Sequence, residues 1–171
     1  PGRLPVVSLY GASFDALPPR PEHLDGLDVV VSDLPDVGSR YYTFVWTTAL
    51  MMKACAARGL PVVVLDRPNP LGGERVEGPG IEPQWISFVG QIPVPYVHGM
   101  TIGELARMAN ARGWAGVRCK LSVVNMQGWT RSMIWQDTGL RWVPTSPNIP
   151  RASSPFYYVV TGILGELAPF E

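Results

Sequence analysis

Short, nearly continuous apolar runs alternate along the chain with longer stretches whose apolar residues recur at helical spacing. Leu27-Asp-Val-Val-Val-Ser32 is a β-branched run of the kind buried on both faces of a sheet. Pro61-Val-Val-Val-Leu65 and Cys119 to Val124 repeat the pattern, and Leu4 to Tyr10, ending at Gly11, predicts a further short strand. Between them the spacing predicts a helix from Ser39 to about Arg58, stopped by Gly59, and another from Thr101 to about Ala111. Pro155 to Leu167 is apolar at helical spacing, and Trp85 to Val89 is a candidate strand. Asp15 to Pro21 is a proline-rich loop, and Trp129 to Trp142 is aromatic-rich and irregular. Strand, helix, strand in this rhythm builds a βαβ unit and a parallel sheet. The expected architecture is α/β: a Rossmann-like, open, mainly parallel sheet with flanking helices. In such sheets ligands bind beyond the carboxyl ends of the strands.

Composition narrows what this scaffold does. With 46% apolar and 16% charged residues over 171 positions, the chain has the makings of a globular core. Its net charge is zero and it has no run of Lys or Arg, which argues against nucleic acid or an anionic membrane surface as the main partner. No secretory leader or membrane span is evident, although the chain opens on Pro1 rather than Met and is expected to be a processed or truncated product. Cys55 and Cys119 lack metal-ligand spacing, and Cys55 is expected as a buried free thiol. Gly72-Gly73 is not a dinucleotide fingerprint, because no G-x-G-x-x-G links a strand to a helix. Neither a cofactor nor a metal is expected. The abundance of glycine and proline, 18 each, points instead to long, well-defined loops as the carriers of function.

Four loops bear the chemistry. Asp33-Leu-Pro-Asp-Val-Gly-Ser-Arg-Tyr-Tyr42 leaves a strand end with two carboxylates, an arginine and two tyrosines. Arg40 there suits a substrate carboxylate held bidentately; alternatively Asp36 or Ser39 caps the following helix and Arg40 pairs with an aspartate. Asp66-Arg-Pro-Asn-Pro-Leu-Gly-Gly73 follows a second strand, and its prolines present Asp66, Arg67 and Asn69 with little entropy to lose. The alternative is a rigid turn with an Asp66–Arg67 pair. His98-Gly-Met-Thr-Ile-Gly-Glu104 contains a T-x-x-E capping box, so Glu104 is expected as a cap rather than a catalyst. His98 suits hydrogen bonding or proton transfer, or is simply a satisfied loop histidine; His23 lies in a surface-like loop. In Thr145-Ser-Pro-Asn-Ile-Pro150, prolines fix Asn148, which both donates and accepts. Trp129, Trp135 and Trp142 precede that loop and are expected chiefly as core, with stacking on a sugar as the alternative.

Taken together these strings resemble one family, the exo-β-N-acetylmuramidases of the NamZ type, formerly a domain of unknown function. The resemblance runs through Ser8-Leu-Tyr-Gly11, Asp33-x-x-Asp-Val-Gly-x-Arg-Tyr-Tyr-Thr43, Leu65-Asp-Arg-Pro-Asn-Pro70, His98 to Ala106 and Ser146-Pro-Asn-x-Pro150, covering about Val6 to Pro150. It implies a glycoside hydrolase that releases N-acetylmuramic acid from the non-reducing end of peptidoglycan-derived sugars, or a non-catalytic sugar-binding module of the same fold. It implies a core domain over 1–150, the start of a smaller C-terminal subdomain over 151–171, and an extracytoplasmic location, periplasmic or secreted. By resemblance Asp36 and His98 are catalytic, with Asp36 activating water or stabilising charge. Arg40, Tyr41, Asp66, Arg67, Asn69 and Asn148 bind the sugar, and Arg40 or Arg67 meets its lactyl carboxylate. Family members carry a Pro-Glu-His-Gly loop upstream of the first matched strand, whose Glu is the acid/base candidate. Pro21-Glu22-His23 looks similar but is followed by Leu24, and the role does not transfer to it.

Overall fold

The computed structural model describes residues 4–9, 17–116 and 118–165. Three of the apolar runs pair as parallel strands, β1 (Val30–Ser32), β2 (Val62–Leu65) and β3 (Leu121–Val124), in the spatial order β1-β2-β3. Val31 lies opposite Val63, and Val64 opposite Val123. α1 (Phe44–Ala57) connects β1 to β2, α2 (Ile102–Arg112) lies between β2 and β3, and α3 (Ser154–Leu164) follows. The result is the expected open α/β sheet with flanking helices.

Because side chains alternate along a strand, one face of the sheet collects Val30, Val62, Val64, Leu121 and Val123. Both α1, through Ala49, Met52 and Cys55, and α2, through Ile102 and Ala106, pack against this face. Burying a side chain of this size contributes about 1.5–3 kcal/mol, so the layer holds the strands to the helices. A buried Ser32–Thr48 hydroxyl pair, 3.2 Å apart, crosses the same layer. Cys55 is buried within it as a free thiol, and burial pushes its pKa up.

With both helices on one side, no helix among the described residues covers the opposite face. Val31 and Val124 are each 54% exposed, so β1 is not buried on both faces as its composition predicts. The predicted strand at Leu4–Tyr10 is not formed over residues 4–9, which have no ladder pairing among the described residues; Tyr10 and Gly11 lie outside the described residues, as do Asp15 and Ala16 at the start of the proline-rich loop. Trp85–Val89 is not a strand: Pro83–Trp85 is a turn of 3-10 helix, followed by an isolated Ser87–Gly90 bridge. The first helix begins at Phe44 rather than Ser39. Ser39 forms an antiparallel bridge to Val97, and the Arg40 N–H donates to the Tyr96 carbonyl at 2.8 Å, so this stretch gives its backbone groups to a neighbouring loop instead of a helix. α1 ends as expected, with Gly59 in the left-handed region at φ 66°. α3 is described to Leu164; Glu166 and Leu167 lie outside the described residues.

Candidate functional site: a tryptophan-walled cleft at the carboxyl edge of the sheet

Each strand releases its loop at the same edge, and the segment after β3 folds back over those loops. Two adjoining cavities result. One, of about 320 Å³, is bordered by Pro35 and Asp36 after β1, Arg67 and Pro68 after β2, and Trp135 and Leu140 to Thr145. The other, of about 410 Å³, is bordered by Asp66, Arg67, Pro68, Met126 to Trp129, Met133, Thr138 and Leu140. Arg67, Pro68 and Leu140 belong to both, so the two are lobes of one cleft. Trp135 and Trp142 meet edge to face at 4.9 Å in the wall of the first lobe, and Trp129 borders the second. All three indoles are half-buried, so they are cleft wall rather than the interior core expected of them. A small cluster of Val37, Tyr42 and Ile149, with Phe44, Trp142 and Tyr158 against it, ties the loop after β1 to the Thr145–Pro150 loop and to α3.

Asp36 and His98 come together beneath the first lobe. Their side chains are 3% and 0% exposed, and His98 Nε2 lies 3.2 Å from Asp36 Oδ2. The Met100 N–H donates to His98 Nδ1 at 3.1 Å, so in the neutral ring the proton is on Nε2, which is close to the carboxylate but makes no hydrogen bond among the described residues. The Gly38 N–H donates to the same Asp36 Oδ2 at 2.9 Å. Asp36 Oδ1 is buried and has no hydrogen-bond partner among the described residues. His98 is therefore behind the carboxylate, away from the cleft wall, and Asp36 is the member that borders the cleft. Asp36 caps its own loop through Gly38 and does not cap α1, whose N-cap is Thr43.

Asp66 has a different environment. Its Oδ2 accepts from Thr101 Oγ1 at 2.9 Å, and its Oδ1 accepts from the N–H groups of Gly103 at 2.8 Å and Arg67 at 3.0 Å. The carboxylate sits over the N-terminus of α2, where backbone donors and the helix dipole favour an anion. Gly103 is required by this approach: a Cβ there would stand 2.6 Å from the Asp66 carboxyl carbon. Thr101 and Glu104 form the expected reciprocal capping box. Glu104 also accepts from Arg131 at 2.7 Å, and Arg131 donates to the Gly99 carbonyl at 2.9 Å, fastening the segment after β3 to the head of α2.

The remaining predicted residues are dispersed. Arg67 pairs with Asp33, not with the Asp66 carboxylate, and borders both lobes. Arg40 does not border the cleft: its Nη1 donates to the carbonyls of Pro79 and Val94, both at 2.8 Å, and the guanidinium lies over the Tyr96 ring. Burial holds its pKa below the usual value, opposed in part by Tyr96. Tyr41 packs between Tyr96 and Tyr158, and its hydroxyl donates to the Tyr158 carbonyl. Burial first, and then Tyr96, raise its pKa. Asn69 is 1% exposed, and its amide is used internally, donating to the Met100 carbonyl and accepting from the Leu71 N–H, both at 2.9 Å. Asn148 is exposed and borders neither lobe; its neighbour Thr145 does. Arg141 and Thr145 are the cleft residues that the loop motifs did not single out, although the density of tryptophans just before the Ser-Pro-Asn string marks their neighbourhood. Among the described residues no three His, Cys, Asp or Glu side chains cluster as metal ligands.

Residues 2–153 match the family described as exo-β-N-acetylmuramidase NamZ, N-terminal. The chain belongs to that family. It is 44% identical over 177 aligned positions to the peptidoglycan β-N-acetylmuramidase NamZ of Bacillus subtilis strain 168, covering 98% of this chain and 42% of that protein. In structure it resembles a DUF1343 family protein of Bacteroides fragilis, with a TM-score of 0.91 at 48% identity over 96% of this chain and 42% of the other. A second DUF1343 family protein of the same organism gives a TM-score of 0.75 at 34% identity, over 82% of this chain and 39% of the other. The chain thus spans about two fifths of the length of the relatives it matches. The TM-score of 0.91 means that the first of these neighbours has the same open α/β fold.

Proposed function

We propose that this chain forms the sugar-binding and water-directing part of a glycoside hydrolase that releases N-acetylmuramic acid from the non-reducing end of peptidoglycan fragments. An extracytoplasmic place of action, periplasmic or secreted, belongs to the same proposal. The observation that carries the reading is the buried Asp36–His98 pair under a tryptophan-walled cleft at the carboxyl edge of the sheet. Indole faces suit the apolar faces of a pyranose ring. Asp36, with Oδ2 fixed by the Gly38 N–H and facing His98, has an oxygen left to serve the reacting sugar, directing water or stabilising developing positive charge. His98 acts through Asp36: its Nδ1 is occupied by the Met100 N–H, and its Nε2 is buried against the carboxylate. Arg67, at the junction of the lobes, contacts the bound sugar from the second strand's loop.

Glycoside hydrolysis of this kind uses two carboxyl groups. Of the carboxylates that border the cleft, Asp66 has both oxygens engaged at the head of α2, so Asp36 is the one with a free oxygen among the described residues. That count favours, as a second reading, a binding module that holds the sugar without cleaving it. One experiment separates the two. Release of a chromogenic group from a β-N-acetylmuraminide is measured with the protein expressed from its full reading frame, against the matching β-N-acetylglucosaminide, and binding of N-acetylmuramic acid is followed by calorimetry. Hydrolysis that Asp36→Asn lowers by roughly 10²–10⁴-fold supports the first reading. Binding without turnover supports the second, and neither binding nor turnover refutes both.

A further inference from the structure

Muramic acid differs from glucosamine by a lactyl ether, which adds a carboxylate and a methyl group. A site that selects the first over the second needs a cation with no anion already attached, beside apolar surface. Of the arginines expected to fill this role, Arg40 lies outside the cleft with its Nη1 given to two backbone carbonyls. Arg67 is in the cleft, but Asp33 neutralises it. Arg141 borders the first lobe and has neither an ion pair nor a hydrogen bond among the described residues.

The backbone on both sides of Arg141 is held. Trp135 Nε1 donates to the Leu140 carbonyl at 3.2 Å, and Trp142 Nε1 donates to the Ile149 carbonyl at 3.2 Å, while the two rings pack edge to face. The guanidinium thus springs from a strap fixed before and after it, which lowers the entropy lost when it captures an anion. Thr145 borders the same lobe, and its Oγ1 is buried without a hydrogen-bond partner, a donor left to be satisfied. The surrounding wall of Leu140, Val143 and Pro144 is apolar. A single planar cation, one hydroxyl and an apolar wall match a monoanionic carboxylate carrying a methyl group better than a phosphate, which requires more donors.

We propose that Arg141, assisted by the Thr145 hydroxyl, binds the lactyl carboxylate and sets the preference for muramic acid over glucosamine. This rests on the proposed muramic-acid reading of the cleft. The test compares calorimetric affinities for N-acetylmuramic acid and N-acetylglucosamine in the full-reading-frame protein and its Arg141→Met, Arg141→Lys and Arg40→Met variants. Arg141→Met should reduce the preference for the acidic sugar by about tenfold, the scale of one charge-assisted hydrogen bond, while affinity for N-acetylglucosamine is kept. Arg141→Lys, which keeps the charge but loses the planar fork, should fall between. Preference unchanged in Arg141→Met, or lost in Arg40→Met instead, overturns the assignment and leaves the muramic-acid reading standing. A wild-type protein that does not distinguish the two sugars overturns both. Preference that depends on Arg141 in a protein that cleaves neither the chromogenic β-N-acetylmuraminide nor the β-N-acetylglucosaminide upholds the assignment and rejects the hydrolase reading.

Discussion

Replacing Asp66 by alanine tests whether this carboxylate serves the fold or the substrate. The change removes the acceptor of three donors, Thr101 Oγ1 at 2.9 Å, the Gly103 N–H at 2.8 Å and the Arg67 N–H at 3.0 Å. Thr101 and Gly103 are buried, so water does not readily replace the lost partner. A buried donor left unpaired costs about 1–3 kcal/mol. Thr101 Oγ1 still accepts from the Glu104 N–H, which limits its share. The expected loss is therefore about 2–4 kcal/mol, a large part of the roughly 5–15 kcal/mol that a domain has. In urea, with a slope of about 2 kcal/mol per molar, the unfolding midpoint should fall by about 1–2 M. Asp66→Asn is milder: its carbonyl still accepts from Gly103 and Arg67, its amide can donate to Thr101 Oγ1, and the charge at the helix N-terminus is worth about 0.3–1 kcal/mol. The order wild type, Asn, Ala in midpoint, with an unchanged slope, is the predicted result. A midpoint that moves by less than about 0.3 M in Asp66→Ala, together with loss of sugar binding, would refute the structural role and return Asp66 to the substrate.

Other outcomes follow from particular contacts. Gly38 has φ 84°, and a Cβ there would stand 2.5 Å from Asn69 Oδ1, so Gly38→Ala should lower stability by about 1–3 kcal/mol, read as a drop in melting temperature. It should also weaken turnover, because the Gly38 N–H holds Asp36; a variant as stable and active as wild type would contradict this. Glu104→Gln keeps an acceptor for the Thr101 N–H and loses the exposed pair with Arg131, so it should cost less than about 1 kcal/mol and leave any turnover within a fewfold; a large loss of catalysis with the fold intact would make Glu104 a catalyst after all. Burial raises the phenol pKa of both Tyr41 and Tyr96 above the ordinary value near 10. The folded state then holds these protons more tightly than the unfolded chain, so their contribution is full below about pH 10 and is lost as the pH rises further. Urea midpoints should fall above that pH, and Tyr41→Phe should flatten the fall; an identical slope in the variant would count against it.

Local pattern made the scaffold legible. Three short apolar runs form the three strands, although two of them are open on one face, and the glycines at 59 and 113 stop α1 and α2 by adopting positive φ. The length of α1 was not legible, because Ser39 is bridged to Val97 and the Arg40 N–H donates to the Tyr96 carbonyl, more than fifty residues away. Which strand face stays open depends on both helices choosing one side, a tertiary outcome that periodicity does not encode. The same limit governs the site. The Asp/Arg loops do converge on one edge, as strand ends in a parallel sheet must, yet their arginines part: Arg67 reaches the cleft, and Arg40 turns under the Pro79–Tyr96 segment.

What separates fold-serving from chemistry-serving polar groups here is the number of partners each already has. Asp36 and Asp66 both lie in loops that leave successive strands, and both are site candidates from the sequence. Asp66 has three donors on its two oxygens and is thereby spent on α2. Asp36 has one aligned donor and a nearby histidine on one oxygen, and no hydrogen-bond partner on the other among the described residues. Asn69 and Asn148 divide the same way by burial, the first consumed by the Met100 and Leu71 backbone and the second exposed away from both lobes. Among the arginines, Arg40 is given to carbonyls, Arg67 to Asp33, and Arg141 to no described residue. The buried Asp36 oxygen carries a free-energy cost that a ligand donor removes, while the exposed Arg141 guanidinium is solvated and offers an anion a partner with no competing carboxylate among the described residues. N-acetylmuramic acid, with hydroxyl and amide donors on the ring and a carboxylate on its lactyl arm, supplies both.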